Sequence, residues 1–153
     1  MDIIGLKGNV EFGVLSEHLR SKGAEAVLMD TKRVFGRLHV ISAMEHAKRS
    51  FANGNNRSKT LITEFFIYMA GERQITKALE IMTPKGGQKD LIVLFLNGYE
   101  DSMIKGSGMK RCDELIQGNE EKAKIIGLEK NGQNISYEDL VLEMVAMVDI
   151  QKK

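Results

Sequence analysis

The segment that most constrains this chain is Asp90-Leu91-Ile92-Val93-Leu94-Phe95-Leu96. A half-buried strand alternates apolar and polar residues. A continuous apolar run of strand length between turn residues instead predicts a strand buried on both faces. The order of the neighbouring elements then restricts the topology. Three helical patterns come one after another before that strand, over residues 34–52, 59–70 and 73–82. A doubly wound sheet needs helices and strands in strict alternation, so this order excludes it. The pattern predicts an α+β fold: a small mixed, mostly antiparallel sheet packed with several helices.

Further elements follow from local signals. Residues 3–8 and 24–29 read as strands, and 12–21 as a helix stopped by Gly23. In the helix over 34–52, Val40, Ala43, Met44, Ala47 and Phe51 fall on one side, with His39, Ser42, His46, Arg49 and Ser50 opposite. Asn53-Gly54-Asn55-Asn56 ends it. The helix over 59–70 is apolar nearly all round, so it is either central in the core or covered by a partner. The next helix carries Ile75, Ala78, Leu79 and Met82 and stops before Pro84. A short helix is predicted over 99–105, a flexible loop at 106–108, and an edge strand at 113–117. A short helix over 120–126 follows, then a final one starting near Ser136, where Ser136 and Asp139 approximate a capping box. With 153 residues, one proline and no repeat or low-complexity linker, the expectation is one domain spanning 1–153.

Catalytic constellations are hard to assemble from these residues. Gly54-Asn55-Asn56-Arg57-Ser58-Lys59-Thr60 has a superficial likeness to a nucleotide-binding loop. Such a loop requires glycine directly before the lysine and again six positions before it, where Ser58 and Asn53 stand, and it should follow a strand. Cys112 lacks any adjacent signature of a Cys/His enzyme. His39 and His46 are about 10 Å apart along a helix, too far to share a metal in the usual i, i+4 way. No CxxC occurs, so no structural zinc is expected. Glu64 and Glu72, separated by a helix break, do not form a glycosidase-like pair. The chain is therefore expected not to be an enzyme and to carry no metal or cofactor. Its single cysteine and lack of a signal-like start suit a cytoplasmic setting. No stretch approaches the ~20 apolar residues of a membrane helix.

Binding remains. The formal net charge is +1, but residues 31–60 hold Lys32, Arg33, Arg37, Lys48, Arg49, Arg57 and Lys59 against one acid, Glu45. Residues 112–153 hold nine acids and five bases. Such a chain can offer a polyanion a basic face without being basic overall. The stripe His39, Ser42, His46 and Arg49 can donate hydrogen bonds to phosphates, and histidine can stack on a base. Arg57 and Lys59 lie in the loop beyond it. These residues (His39, His46, Arg49, Arg57 and Lys59) form the predicted RNA-binding set. Two alternatives stay open: a protein-interaction adaptor whose basic segment is only solvated, and a small-ligand enzyme using Cys112 or His46.

The stretch from Val34 through Arg37, His39, Glu45 and His46 to Arg49 resembles the family of the PRPK-binding protein, particularly its archaeal members. So do Asn56-Arg57-Ser58-Lys59-Thr60 running into Glu64, and Ala70-Gly71-Glu72-Arg73-Gln74-Ile75 followed by Ala78. The resemblance implies a non-catalytic subunit of KEOPS, the complex that threonylcarbamoylates the adenosine 3′ of the anticodon in tRNAs reading A-starting codons. Members of that family bind and stimulate a small PRPK-type kinase/ATPase and help recruit tRNA through its 3′ CCA end. On this reading the helices over 59–70 and 73–82 present part of the kinase-docking surface, with Ile75 and Leu79 as apolar anchors.

Overall fold

The computed structural model describes residues 1–9 and 11–151. Its sheet holds four strands: β1 (Asp2–Gly8), β2 (Ala26–Met29), β3 (Asp90–Phe95) and β4 (Met109–Arg111). Their order is β2-β3-β1-β4, and all three pairings are antiparallel. Among the described residues there are six α-helices: α1 (Phe12–Ser21), α2 (Arg37–Ala52), α3 (Leu61–Ala70), α4 (Ile75–Met82), α5 (Glu120–Ile126) and α6 (Tyr137–Gln151). The fold class is α+β as predicted. The chain divides into two compact units, each built from separated stretches: residues 1–31 with 83–117, and residues 32–82 with 118–153.

The first unit holds the sheet. Leu91 to Phe95 are all buried, as the continuous apolar run requires of a strand with neighbours on both sides. Ile4 and Leu6 of β1, with Leu91, Val93 and Phe95 of β3, point to one face and pack with Leu15 and Leu19 of α1. Each such buried side chain contributes about 1.5–3 kcal/mol relative to leaving it in water. Two predicted elements differ. Residues 113–117 form a 3-10 turn over Asp113–Ile116 rather than an edge strand, and the edge strand is β4. The Asp113 carboxylate accepts from the Gly5 N–H at 3.1 Å, and the Cys112 N–H donates to the Gly5 carbonyl at 2.7 Å. A side chain thus takes the place of a ladder partner, and pairing cannot continue beyond Arg111. Gly5 has to be glycine, since a Cβ there would lie 2.1 Å from the Cys112 carbonyl oxygen. Likewise the loop at 106–108 is a fixed turn. Ser107 is buried; its hydroxyl donates to the Ile104 carbonyl at 2.6 Å and accepts from the Met109 N–H at 3.1 Å. The short helix predicted over 99–105 shrinks to a 3-10 turn at Asp101–Met103.

The second unit is helical. α3 packs against α2, α4 and α6, and Phe65, Phe66, Ile67, Tyr68 and Met69 are all buried. Most of its all-round apolar surface is therefore core, while Leu61 and Ile62 in its first turn are half-buried. Thr60 caps α3, its hydroxyl accepting from the Thr63 N–H at 3.2 Å. Gly71 ends it in the left-handed conformation (φ +64°), where a Cβ would lie 2.5 Å from Met144 Cγ. α5 is capped by Asn119, which the sequence reading did not single out; Ser136 accepts from the Asp139 N–H before α6, as the sequence implied.

Candidate nucleic-acid interface

Along α2, His46, Arg49 and Ser50 lie within one turn of each other, and the Asn53-Gly54-Asn55-Asn56 stop continues from the same end. Gly54 (φ +69°) reverses the chain, and the Asn55 N–H bonds to the Ser50 carbonyl at 2.9 Å. The loop that follows is held by one buried group, the Glu64 carboxylate of α3. Its Oε1 accepts from the Arg57 N–H at 3.0 Å, the Ser58 N–H at 3.1 Å and the Ser58 hydroxyl at 3.2 Å. Its Oε2 accepts from the Ser50 hydroxyl at 2.9 Å. A buried carboxylate is costly unless hydrogen bonds replace its water. Here backbone donors replace it, so Glu64 fixes the loop backbone while the Arg57 and Lys59 side chains stay exposed.

On the far side of His46 stands α6. The Asp149 carboxylate bonds to His46 Nδ1 at 2.7 Å and accepts a hydrogen bond from the Tyr68 hydroxyl. The His46 and Tyr68 rings lie 5.4 Å apart. Burial, and then the Asp149 carboxylate beside it, push the Tyr68 hydroxyl well above its usual range. Tyr68 therefore remains a donor at physiological pH. The Asp149 side chain is 46% exposed while that of His46 is 15% exposed. Both open onto a cleft of about 390 Å³, whose other walls include Arg49, Ser50, Asn53 and Asn55. The cleft offers a guanidinium, amides, an imidazole and a carboxylate, a mixture suited to a ligand with both anionic and hydroxyl groups.

His39 corrects the predicted set. It is fully buried; Nδ1 accepts from the Phe35 N–H at 3.0 Å and Nε2 faces the Met69 carbonyl at 3.0 Å. A backbone donor at Nδ1 requires the proton on Nε2, so the neutral ring bridges the start of α2 to the end of α3. Burial above all, with a smaller contribution from Lys122, lowers its pKa to about 4 against a favourable bond to Met69. His39 therefore does not join the interface, and Ser50 turns inward to Glu64. α2 packs against both α3 and α6, so its buried side is wider than its apolar stripe. Glu64, Tyr68 and Asp149 were not in the predicted set. Only Glu64 stood within a motif singled out by its sequence.

The predicted docking pair lies on α4. Leu79 is exposed and Ile75 half-buried, while Ala78 and Met82 face the core. Leu38 on α2 is 46% exposed. Among the described residues no group of three or more His, Cys, Asp or Glu side chains is placed to hold a metal, and no helix is long and apolar enough to cross a membrane.

The model of the kinase binding protein CGI-121 family matches residues 12–131, well over half of the chain. The chain belongs to the CGI-121 family of kinase-binding proteins. This is the family implied by the resemblance of residues 34–82. Comparison with curated proteins gives no significant match. The CGI-121 match spans α1 through α5 and includes His46, Arg49, the Glu64-held loop, Ile75 and Leu79; Asp149 lies beyond it.

Proposed function

We propose that this CGI-121 protein is a non-catalytic, cytoplasmic subunit of a KEOPS-type complex. It binds the PRPK-type kinase/ATPase and helps recruit tRNA through its 3′ CCA end. The observation that carries the RNA half is the cleft beside His46 and Arg49, adjoining a loop whose backbone is clamped by Glu64 and whose Arg57 and Lys59 side chains face solvent. A single-stranded end presents splayed bases, free base edges and a phosphate on each linkage. A guanidinium grips phosphate bidentately and a lysine as a point charge, while imidazole and amides serve the base. A loop fixed before the ligand arrives loses little entropy on binding.

The kinase half rests on the family and on the exposed apolar side chain of Leu79, with Ile75 beside it on α4. The test of the RNA half compares intact tRNA with tRNA lacking its CCA end. The intact form should bind more tightly. Arg49→Ala, Arg57→Ala and Lys59→Ala should each weaken binding, while Lys22→Ala, at the end of α1 in the other unit, should not. Equal binding by all four variants, or indifference to CCA removal, means that RNA is bound elsewhere than at this site; no binding of tRNA at all leaves a kinase-binding adaptor that does not touch RNA.

A further inference from the structure

Asp149 is an unexpected wall for an RNA cleft. A carboxylate repels phosphate, yet this one is half-exposed and lines the same space as Arg49. It is also held in position from behind, by the Tyr68 hydroxyl on one oxygen and His46 on the other. Each carboxylate oxygen can accept more than one hydrogen bond. The group that turns such an oriented, partly solvated carboxylate into an asset is a neutral donor of two hydrogen bonds. In RNA the guanine Watson–Crick edge is one such group, but a CCA end carries no guanine; there the group that remains is the vicinal 2′,3′-diol, which occurs only on the last ribose of a strand with an unmodified 3′ end. Every internal ribose has a phosphodiester on its 3′ oxygen.

We propose that Asp149 receives the 2′- and 3′-hydroxyls of a terminal ribose, so that the cleft selects RNA whose 3′ end is free. The inference rests on the RNA reading of the same cleft. It also orients the strand. The last sugar lies against α6, and the preceding phosphates run toward Arg49 and the Arg57 loop, away from the carboxylate. A 3′-phosphate would bring like charges together at Asp149. An aminoacyl ester would consume one hydroxyl and add bulk where the sugar meets α6. The site would then prefer uncharged tRNA to aminoacylated tRNA.

The test uses the full chain and short oligoribonucleotides ending in CCA, with the 3′ end varied: the free diol, a terminal 3′-deoxyadenosine, a 3′-phosphate, and an amino acid in stable amide linkage. The free diol should bind best. Loss of the 3′-hydroxyl should weaken binding on the order of tenfold, as expected for a hydrogen bond to a charged acceptor, and the 3′-phosphate should weaken it further. Asp149→Asn should bring the diol and deoxy ends within about twofold of each other and shrink the phosphate penalty. The comparison of ligands on the wild-type chain needs no variant, so it stands even if Asp149→Asn disturbs α6. Equal binding of all four ends, with CCA still required, overturns the diol inference and leaves the RNA reading intact. Failure of every CCA oligonucleotide to bind, when an intact tRNA also fails, overturns both.

Discussion

The buried His39 ring ties the start of α2 to the end of α3 through the Phe35 N–H and the Met69 carbonyl. Helical geometry puts it beside His46 and Arg49, but geometry of one helix cannot tell which side its neighbours cover. The deciding facts were long-range: the Met69 carbonyl at the end of α3 and the packing of α2 by two helices. The consequence is a measurable pH dependence. Burial lowers the His39 pKa from 6.5 to about 4, so the unfolded chain binds a proton between those values that the folded chain refuses. This group therefore costs nothing above pH 6.5, removes stability as pH falls toward 4, and adds no further loss below that. The full loss corresponds to about 3 kcal/mol. Urea unfolding at pH 7.5 and pH 4.5 should show a steeper drop for wild type than for His39→Gln. Equal drops would mean that other groups carry the acid sensitivity. Glu64 makes a second prediction at this scale. Glu64→Ala leaves the Arg57 and Ser58 amides without their acceptor and should cost about 3 kcal/mol or more, whereas Glu64→Gln keeps an oxygen for them and should cost about 1 kcal/mol. Thermal unfolding midpoints compare the two. Glu64 draws its backbone donors from Arg57 and Ser58 in the same motif, but their spacing does not tell which way that loop turns; the partners of Asp149, His46 and Tyr68, lie far off in the chain.

Secondary-structure elements were far more legible than the contacts between them. The 90–96 run became β3, and its internal place in the sheet explains why polar alternation was absent. Helix ends followed their caps, with Thr60, Asn119 and Ser136 each accepting a backbone N–H. The error at 113–117 came from Asp113, whose side chain imitates a strand partner. α3 and α4 illustrate the same limit. Both are apolar, and only packing shows that α3 is spent on the core while α4 keeps Leu79 exposed. A docking test should therefore centre on Leu79. Leu79→Glu should weaken capture of the kinase by tenfold or more, in line with loss of an apolar anchor, with thermal stability within about 0.5 kcal/mol of wild type. Ile75→Glu should do both damage to binding and some to stability, since Ile75 is half-buried. Unchanged capture by Leu79→Glu, measured by co-elution, would move the kinase surface off α4.

At the scale of the molecule, charge is organised differently from its order along the chain. The basic stretch 31–60 and most of the acidic stretch 112–153 belong to the same helical unit, and His46 meets Asp149 across them. A diffuse basic face would give steep salt dependence, whereas a defined site with Arg49, Arg57 and Lys59 on phosphate should give a slope of log K against log salt of about −2 for a single strand. Binding isotherms from 50 to 300 mM salt, over which the Debye length shortens from about 14 to about 6 Å, measure it; a much steeper slope would point to a broad electrostatic surface. The strand order β2-β3-β1-β4 has a consequence for how the protein is made. β1 and β2 are synthesised first but are not neighbours; β3, which arrives after α2, α3 and α4, inserts between them. While residue 90 is still inside the ribosome, both early strands lack their eventual β3 partner, a state that invites pairing with other chains. A nascent chain halted there should recruit holdase chaperones strongly. One extended until residue 117 has emerged should release them, because every segment of the sheet unit is then available to close.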